Sequence, residues 1–232
     1  FAFPSGKTQL PAGKSFNIVG NPIREEIIKT AESTKTEQRA ARIEFGLETE
    51  LPVILFLGGS QGAEKLNEFL LENIESFISR FQILHQTGIR NFESQKQQFE
   101  FLYRGSRATS IATRYKFFPF FDRNLISAYR AADLVTARAG AGLIFEIAAI
   151  GKPSILIPLP TSAQNHQREN AYEYAKFGAA EVIEEENLLP TLFMNEVEKI
   201  LKNPARMQTM SDAARKFAVP NSAELIAGDI LK

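Results

Sequence analysis

Glu146 is the only charged residue in the apolar helix predicted between Gly140 and Gly151. Burying a carboxylate without partners is costly, so a glutamate there calls for a partner or a ligand. A carboxylate accepts two hydrogen bonds from a vicinal diol, which suits a ribose. The alternative is a water-exposed acid near a helix start, where the helix dipole favours it. Arg138-Ala-Gly-Ala-Gly142 leads a strand into that helix. Glycines let a ligand approach the backbone closely, and free amides at a helix start bind anions, typically phosphate. Gly58-Gly-Ser-Gln-Gly-Ala63 is a second such turn, to which Ser60 adds a hydroxyl. Both turns could equally serve strand–helix packing alone. Gln164-Asn-His-Gln-Arg-Glu-Asn170 opens another helix. His166, Gln167 and Asn170 fall together there, because residues three or four apart are neighbours on a helix. Such groups could read a sugar or form an ordinary polar helix start. Arg24, after the Asn21-Pro22 break, could pair with a phosphate or sit on the surface.

Other chemistries are disfavoured. The first glycine turn continues Ala63-Glu64, without the Gly-Lys ending of a P-loop, and it is not Gly-x-Gly-x-x-Gly. The next strand ends in His85-Gln-Thr-Gly88, without the acid that holds an NAD ribose. No cofactor is expected. With no Cys and only two His, no metal site is expected either. A net charge of +0 gives no global field for nucleic acid. His85, at a strand end, reads as a satisfied structural histidine. Phe117 to Phe121 read as core, with the end of the segment reaching a ligand edge.

The elements that must position these residues follow from pattern. Strands are predicted at 15–19, 52–57, 81–85, 114–118, just before Arg138, at 154–158 and at 180–183. Helices are predicted at about 22–45, from the first glycine turn to 79, near 91–104 and 123–131, and after Gly142. More follow at 165–177, 191–203, 204–218 and 221–231. Such alternation implies an α/β, Rossmann-like fold: a mostly parallel sheet with helices on both faces. Ligands of such sheets bind at the carboxyl ends of the strands, which is where the glycine turns and the unusual polar residues lie. The chain has 232 residues, 44% hydrophobic and 23% charged, which is ample for one large domain. No apolar run approaches the roughly 20 residues of a spanning helix. The opening Phe1-Ala2-Phe3-Pro4, without Met, reads as the start of a cut chain.

Seven segments occur together in an order and spacing that resemble the carboxyl-terminal half of the MurG family of glycosyltransferases. They are Gly20-Asn-Pro-Ile-Arg24, Gly58-Gly-Ser-Gln-Gly-Ala63, His85-Gln-Thr-Gly88, Tyr129-Arg-Ala-Ala-Asp133, Arg138-Ala-Gly-Ala141, Glu146-Ile-Ala-Ala-Ile-Gly-Lys-Pro153 and His166-Gln-Arg-Glu-Asn-Ala171. The family's members are bacterial peripheral membrane enzymes of the GT-B fold, two Rossmann-like domains facing a cleft. They move N-acetylglucosamine from UDP-N-acetylglucosamine to undecaprenyl-diphosphate-N-acetylmuramoyl-pentapeptide, in peptidoglycan synthesis, and so serve cell-wall biogenesis and cell shape. The resemblance implies that residues 15–203 form the UDP-sugar-binding domain. Residues 1–14 would end a missing amino-terminal domain, and 204–232 would pack back towards it. The full-length protein would work at the cytoplasmic face of the inner membrane.

The resemblance also assigns roles. Arg24 and Ser60 would contact the diphosphate or sugar side of the donor. The Phe121 region would hold uracil through its backbone. Ala141, Gly142 and Leu143 would offer amides to the diphosphate, and Glu146 would bind the ribose. His166, Gln167 and Asn170 would read the N-acetylglucosamine. The chain departs from the family at Gly142-Leu143, where Leu-Thr is common, and at Phe145, where Ser precedes the glutamate. The acceptor site, the membrane-binding face and the general base would lie in the missing domain, so no catalytic residue is assigned here. Three alternatives stay open: a donor subunit of a split enzyme that needs a partner chain, a non-enzymatic α/β binding module, and a related transferase with another sugar or acceptor.

Overall fold

The computed structural model describes residues 2–3, 17–30, 33–59 and 62–231, with Gln164 described in its backbone only. Six strands, β1 (Val53–Leu57), β2 (Gln82–Gln86), β3 (Tyr115–Phe118), β4 (Leu134–Ala137), β5 (Ser154–Leu156) and β6 (Ala180–Val182), form one sheet. Its order is β3-β2-β1-β4-β5-β6 and every pairing is parallel. The α/β expectation holds, and the sheet is wholly rather than mostly parallel. The helices are α1 (Glu25–Ile28), α2 (Lys35–Glu44), α3 (Glu64–Ile78), α4 (Phe92–Leu102), α5 (Ser106–Arg114) and α6 (Leu125–Ala131). They continue with α7 (Ala141–Ile150), α8 (His166–Lys176), α9 (Pro190–Leu201), α10 (Pro204–Phe217) and α11 (Ser222–Ile230).

Every residue of β1 is buried, as a strand covered on both faces requires. Side chains alternate between faces along a strand. Val53, Leu55 and Leu57 join one apolar layer with residues of α2, α6, α7 and α8. Ile54 and Phe56 join the other with residues of α3, α4, α5 and α9. α10 is anchored in this domain: Phe217 packs on Phe145 and Tyr174, with ring centroids 5.1 and 4.9 Å apart. α11 buries only Ser222.

Three expectations are corrected. Of the strand expected at 15–19, the described residues 17–19 are irregular. The helix expected over 22–45 is two helices, α1 and α2. Thr34 and Glu37 form a reciprocal capping box, which starts a new helix at Lys35. Helix α5 was not expected; it is polar and buries only Ile111, so its apolar pattern is faint. Most of residues 1–14 lie outside the described residues, as do Ser15 and Phe16.

Two polar clusters brace the sheet. Asp133, just before β4, accepts hydrogen bonds from Arg42 Nη2 (2.6 Å), Gln38 Nε2 (3.0 Å) and the Val53 amide (2.8 Å). It thereby ties α2 to the amino-terminal ends of β1 and β4. His85 lies fully buried on β2, with Nδ1 2.9 Å from the Tyr115 hydroxyl and Nε2 2.9 Å from Asn67 Oδ1. It is the satisfied structural histidine expected. Burial pushes its pKa down to about 3 from the ordinary 6.5. The folded protein therefore keeps His85 neutral in a range where the unfolded chain takes up a proton, and stability falls with pH below about 6.5. Urea unfolding between pH 6.5 and 5 should show a loss of up to roughly 1.4 kcal/mol per pH unit, and His85→Gln should flatten that slope.

Candidate functional site

Strands β1 and β4 are neighbours, yet the chain leaves β1 towards β2 and leaves β4 towards β5, on opposite sides. The loops after the two strands therefore diverge and leave a crevice at their carboxyl ends. Leu57 pairs with Ala137 in the register, so both glycine turns begin at the same height. Two cavities open there. One of about 530 Å³ is lined by both turns together with Lys65, Leu159, Gln167 and Glu185. The other, about 230 Å³, is lined by Arg24, Gly59, Gln86, Phe120, Phe121, Tyr129, Gly142 and Glu146, among others. Gly59 and Leu143 belong to both, so the two form one trough.

The first turn depends on its glycines. Gly59 and Gly62 have φ of +85° and +80°, and the Gly62 amide donates to Gly59 O at 3.2 Å. A Cβ on Gly62 would stand 2.3 Å from Thr87 O. Ser60, expected to contact the donor, lies outside the described residues. In the second turn, Gly140 is the N-cap of α7, and the first helical bond runs from the Ile144 amide to Gly140 O at 3.0 Å. The amides of Ala141, Gly142 and Leu143 precede that ladder, as the orphan donors of a helix start do. Their placement fits an anion held in the trough.

Glu146 lies one turn further on, with its side chain 15% exposed. It is not alone. Arg24 Nε donates to Oε1 at 2.9 Å and Arg24 Nη2 to Oε2 at 3.0 Å, a two-pronged pair. The buried Tyr129 hydroxyl donates to Oε2 at 3.3 Å. Burial foremost, then the Glu146 charge, raises the Tyr129 pKa well above 10, so the hydroxyl keeps its proton. Arg24 and Glu146, which the sequence reading sent to different parts of a ligand, thus hold each other.

The remaining expectations divide. Phe121 lines the smaller cavity, but its ring is fully buried and its amide donates to Gln86 Oε1 at 3.0 Å. That amide is therefore spent, and Phe120 is the exposed aromatic at the edge. Gln167 lines the larger cavity and accepts from the Leu159 amide at 3.1 Å. Asn170 donates to Ala139 O at 3.2 Å, beside the second glycine turn. His166 is exposed, its Nδ1 2.6 Å from Ala163 O, and it lines neither cavity. Several contributors escaped sequence reasoning. Tyr129 and Gln86 stood in motifs but drew no role. Arg138 reaches the Ile157 carbonyl (3.2 Å) and pairs with Glu185, which also meets Lys65 at 3.1 Å. A residue so distant in sequence gives no local signal. Gln86 could have been found, since it ends a buried strand at the ligand side of the sheet.

Gly62→Ala should destabilise the fold by about 2 kcal/mol or more, because strain at positive φ adds to the clash with Thr87. Urea denaturation would measure it.

The chain is 36% identical over 211 residues to the UDP-N-acetylglucosamine--N-acetylmuramyl-(pentapeptide) pyrophosphoryl-undecaprenol N-acetylglucosamine transferase of Halothermothrix orenii, covering 90% of this chain and 54% of that protein. It is also 36% identical over 232 residues to the enzyme of that name from Phenylobacterium zucineum, covering 97% and 58%. The crystal structure of Acinetobacter baumannii MurG matches at a TM-score of 0.67 and 26% identity, over 88% of this chain and 54% of that one. The chain thus spans little more than half the length of these relatives, and its fold is that of a GT-B glycosyltransferase half. Residues 53–226 match the glycosyltransferase family 28 C-terminal domain, and the chain belongs to that family.

Proposed function

We propose that this chain is the donor-binding half of a MurG-like transferase. It would hold UDP-N-acetylglucosamine while the sugar passes to undecaprenyl-diphosphate-N-acetylmuramoyl-pentapeptide, in peptidoglycan synthesis. The observation that carries the reading is one trough that joins free helix-start amides at Ala141, Gly142 and Leu143 to the carboxylate of Glu146. The amides suit a diphosphate; the carboxylate suits a ribose diol. Gln167 sits in the larger cavity, where the sugar would extend, and Asn170 braces the turn behind it.

In the transfer, the bond from the sugar's anomeric carbon to UDP breaks as the acceptor hydroxyl attacks from the opposite face. The charge that develops on the departing diphosphate falls to the α7 amides. For Glu146 to accept the diol, Arg24 must give it up, which frees the guanidinium for the phosphates. The acceptor hydroxyl needs a base within hydrogen-bond reach. His85 has both ring nitrogens engaged and is buried, and His166 lies outside the trough. We therefore place the base, the acceptor site and the membrane contact in a second domain. α11 faces that domain in this reading; it leaves Leu225 and Ile230 exposed, with Leu231 just beyond. Among the described residues no helix is long and apolar enough to cross a membrane; in this reading the second domain would attach the whole protein to the cytoplasmic face of the inner membrane.

Calorimetric titration tests the reading. UDP should bind, 2′-deoxy-UDP should bind more weakly, and Glu146→Gln should weaken UDP by about tenfold while erasing the difference between the two. Absence of UDP binding by the parent chain would sink the proposal. Arg24→Ala should act in opposite directions on two ligands. Uridine, which has the diol but no phosphate for Arg24 to meet, should bind more tightly, and UDP more weakly. Equal weakening of both would refute the exchange of partners by Arg24.

A further inference from the structure

Gln86 ends β2, paired with Leu57 of β1 on one side and Phe118 of β3 on the other. Its side chain is buried, and its carboxamide spans the ligand end of the sheet. Nε2 donates to Gly59 O at 3.2 Å, and Oε1 accepts from the Phe121 amide at 3.0 Å. One side chain thus joins the first glycine turn to the aromatic segment, and all three line the smaller cavity with Glu146. The neighbouring Thr87 takes hold of the same segment three residues earlier, donating to Phe118 O from its amide (3.0 Å) and its hydroxyl (3.2 Å). Pro119 and Phe120 are therefore suspended between two pins, the Phe118 carbonyl and the Phe121 amide. Phe120 is the member of that arch exposed at the cavity.

We infer that Gln86 is a positioning residue for base selection: by holding the Phe121 amide it fixes the 119–121 backbone in the arrangement that admits uracil and rejects cytosine. The inference rests on the donor-binding reading above. Uracil presents an N3–H donor between two carbonyl acceptors, whereas cytosine presents an N3 acceptor beside an amino donor. Main-chain groups can tell these edges apart only if their peptides are held still, since a slack loop turns to suit either. The carboxamide is the group that does this from one position, because it offers a donor and an acceptor in one plane. Methionine is of similar length but would leave the Phe121 amide and the Gly59 carbonyl without their partner. Glutamate keeps an oxygen towards the Phe121 amide and loses the donor to Gly59.

The test is the ratio of dissociation constants for CDP and UDP, measured calorimetrically for the parent chain, Gln86→Met and Gln86→Glu. The parent should prefer UDP. Gln86→Met should reduce that preference at least tenfold, mainly by gaining CDP affinity relative to UDP, and Gln86→Glu should retain most of it. A purely structural role would weaken both nucleotides alike and leave the ratio unmoved. If the parent prefers UDP and Gln86→Met keeps that preference within twofold, the inference is overturned and the donor reading stands. If Gln86→Met fails to fold, loss of the preference in Gln86→Glu with UDP affinity otherwise intact overturns the assignment of the Phe121 pin, and its retention supports it. A parent chain that binds neither nucleotide overturns the donor reading and this inference together.

Discussion

The site depends on one constraint: β1 and β4 lie side by side and parallel while their outgoing connections run apart. A parallel pair needs a crossover after each strand, and here the crossovers fall on opposite sides. The space between the two departing loops cannot be filled by either. The glycine turns then let the backbone line that space directly, with α7 starting at its floor. The apolar layers on the two faces of the sheet hold the strands in register, so the distance between the turns is fixed by the core and not by the loops.

Within that frame the trough's one acidic anomaly is partnered from inside the fold. Glu146 would be costly in an apolar helix if left bare, and Arg24 and Tyr129 complete it. The two partners differ in kind. Tyr129 is buried and fixed, so it orients the carboxylate permanently. Arg24 is half exposed on an irregular segment just before α1, so it can leave. A partly exposed ion pair contributes little to stability, which makes it a cheap contact to exchange for a ligand.

The sheet and its helices were legible because the strand runs, glycines and helix periods are local signals. Glu146 stood out because a charge in an apolar helix is anomalous on its face. The two turns stood out by their glycines, of which Gly59 and Gly62 in the first hold positive φ. What the sequence concealed is pairing across distance. Arg24 and Glu146 are 122 residues apart, Gln86 and Phe121 are 35 apart, and neither pairing has a spacing rule. Gln86 was further masked by a strand whose five residues are all buried, so an amide that lines the trough looked like core. The break between α1 and α2 was legible in Thr34-Lys-Thr-Glu37, but the run of good helix formers on either side hid it.

The Arg24–Glu146 pair also bears on how a ligand arrives. With the guanidinium closed on the carboxylate, that wall of the trough shows little net charge to solution. A diphosphate approaching from afar meets no local beacon there, and attraction between exposed charges fades over about 8 Å at physiological ionic strength. Encounter is then left to diffusion. In the proposed donor-binding role, discrimination falls after contact, in the time a bound molecule would stay once it had drawn Arg24 away.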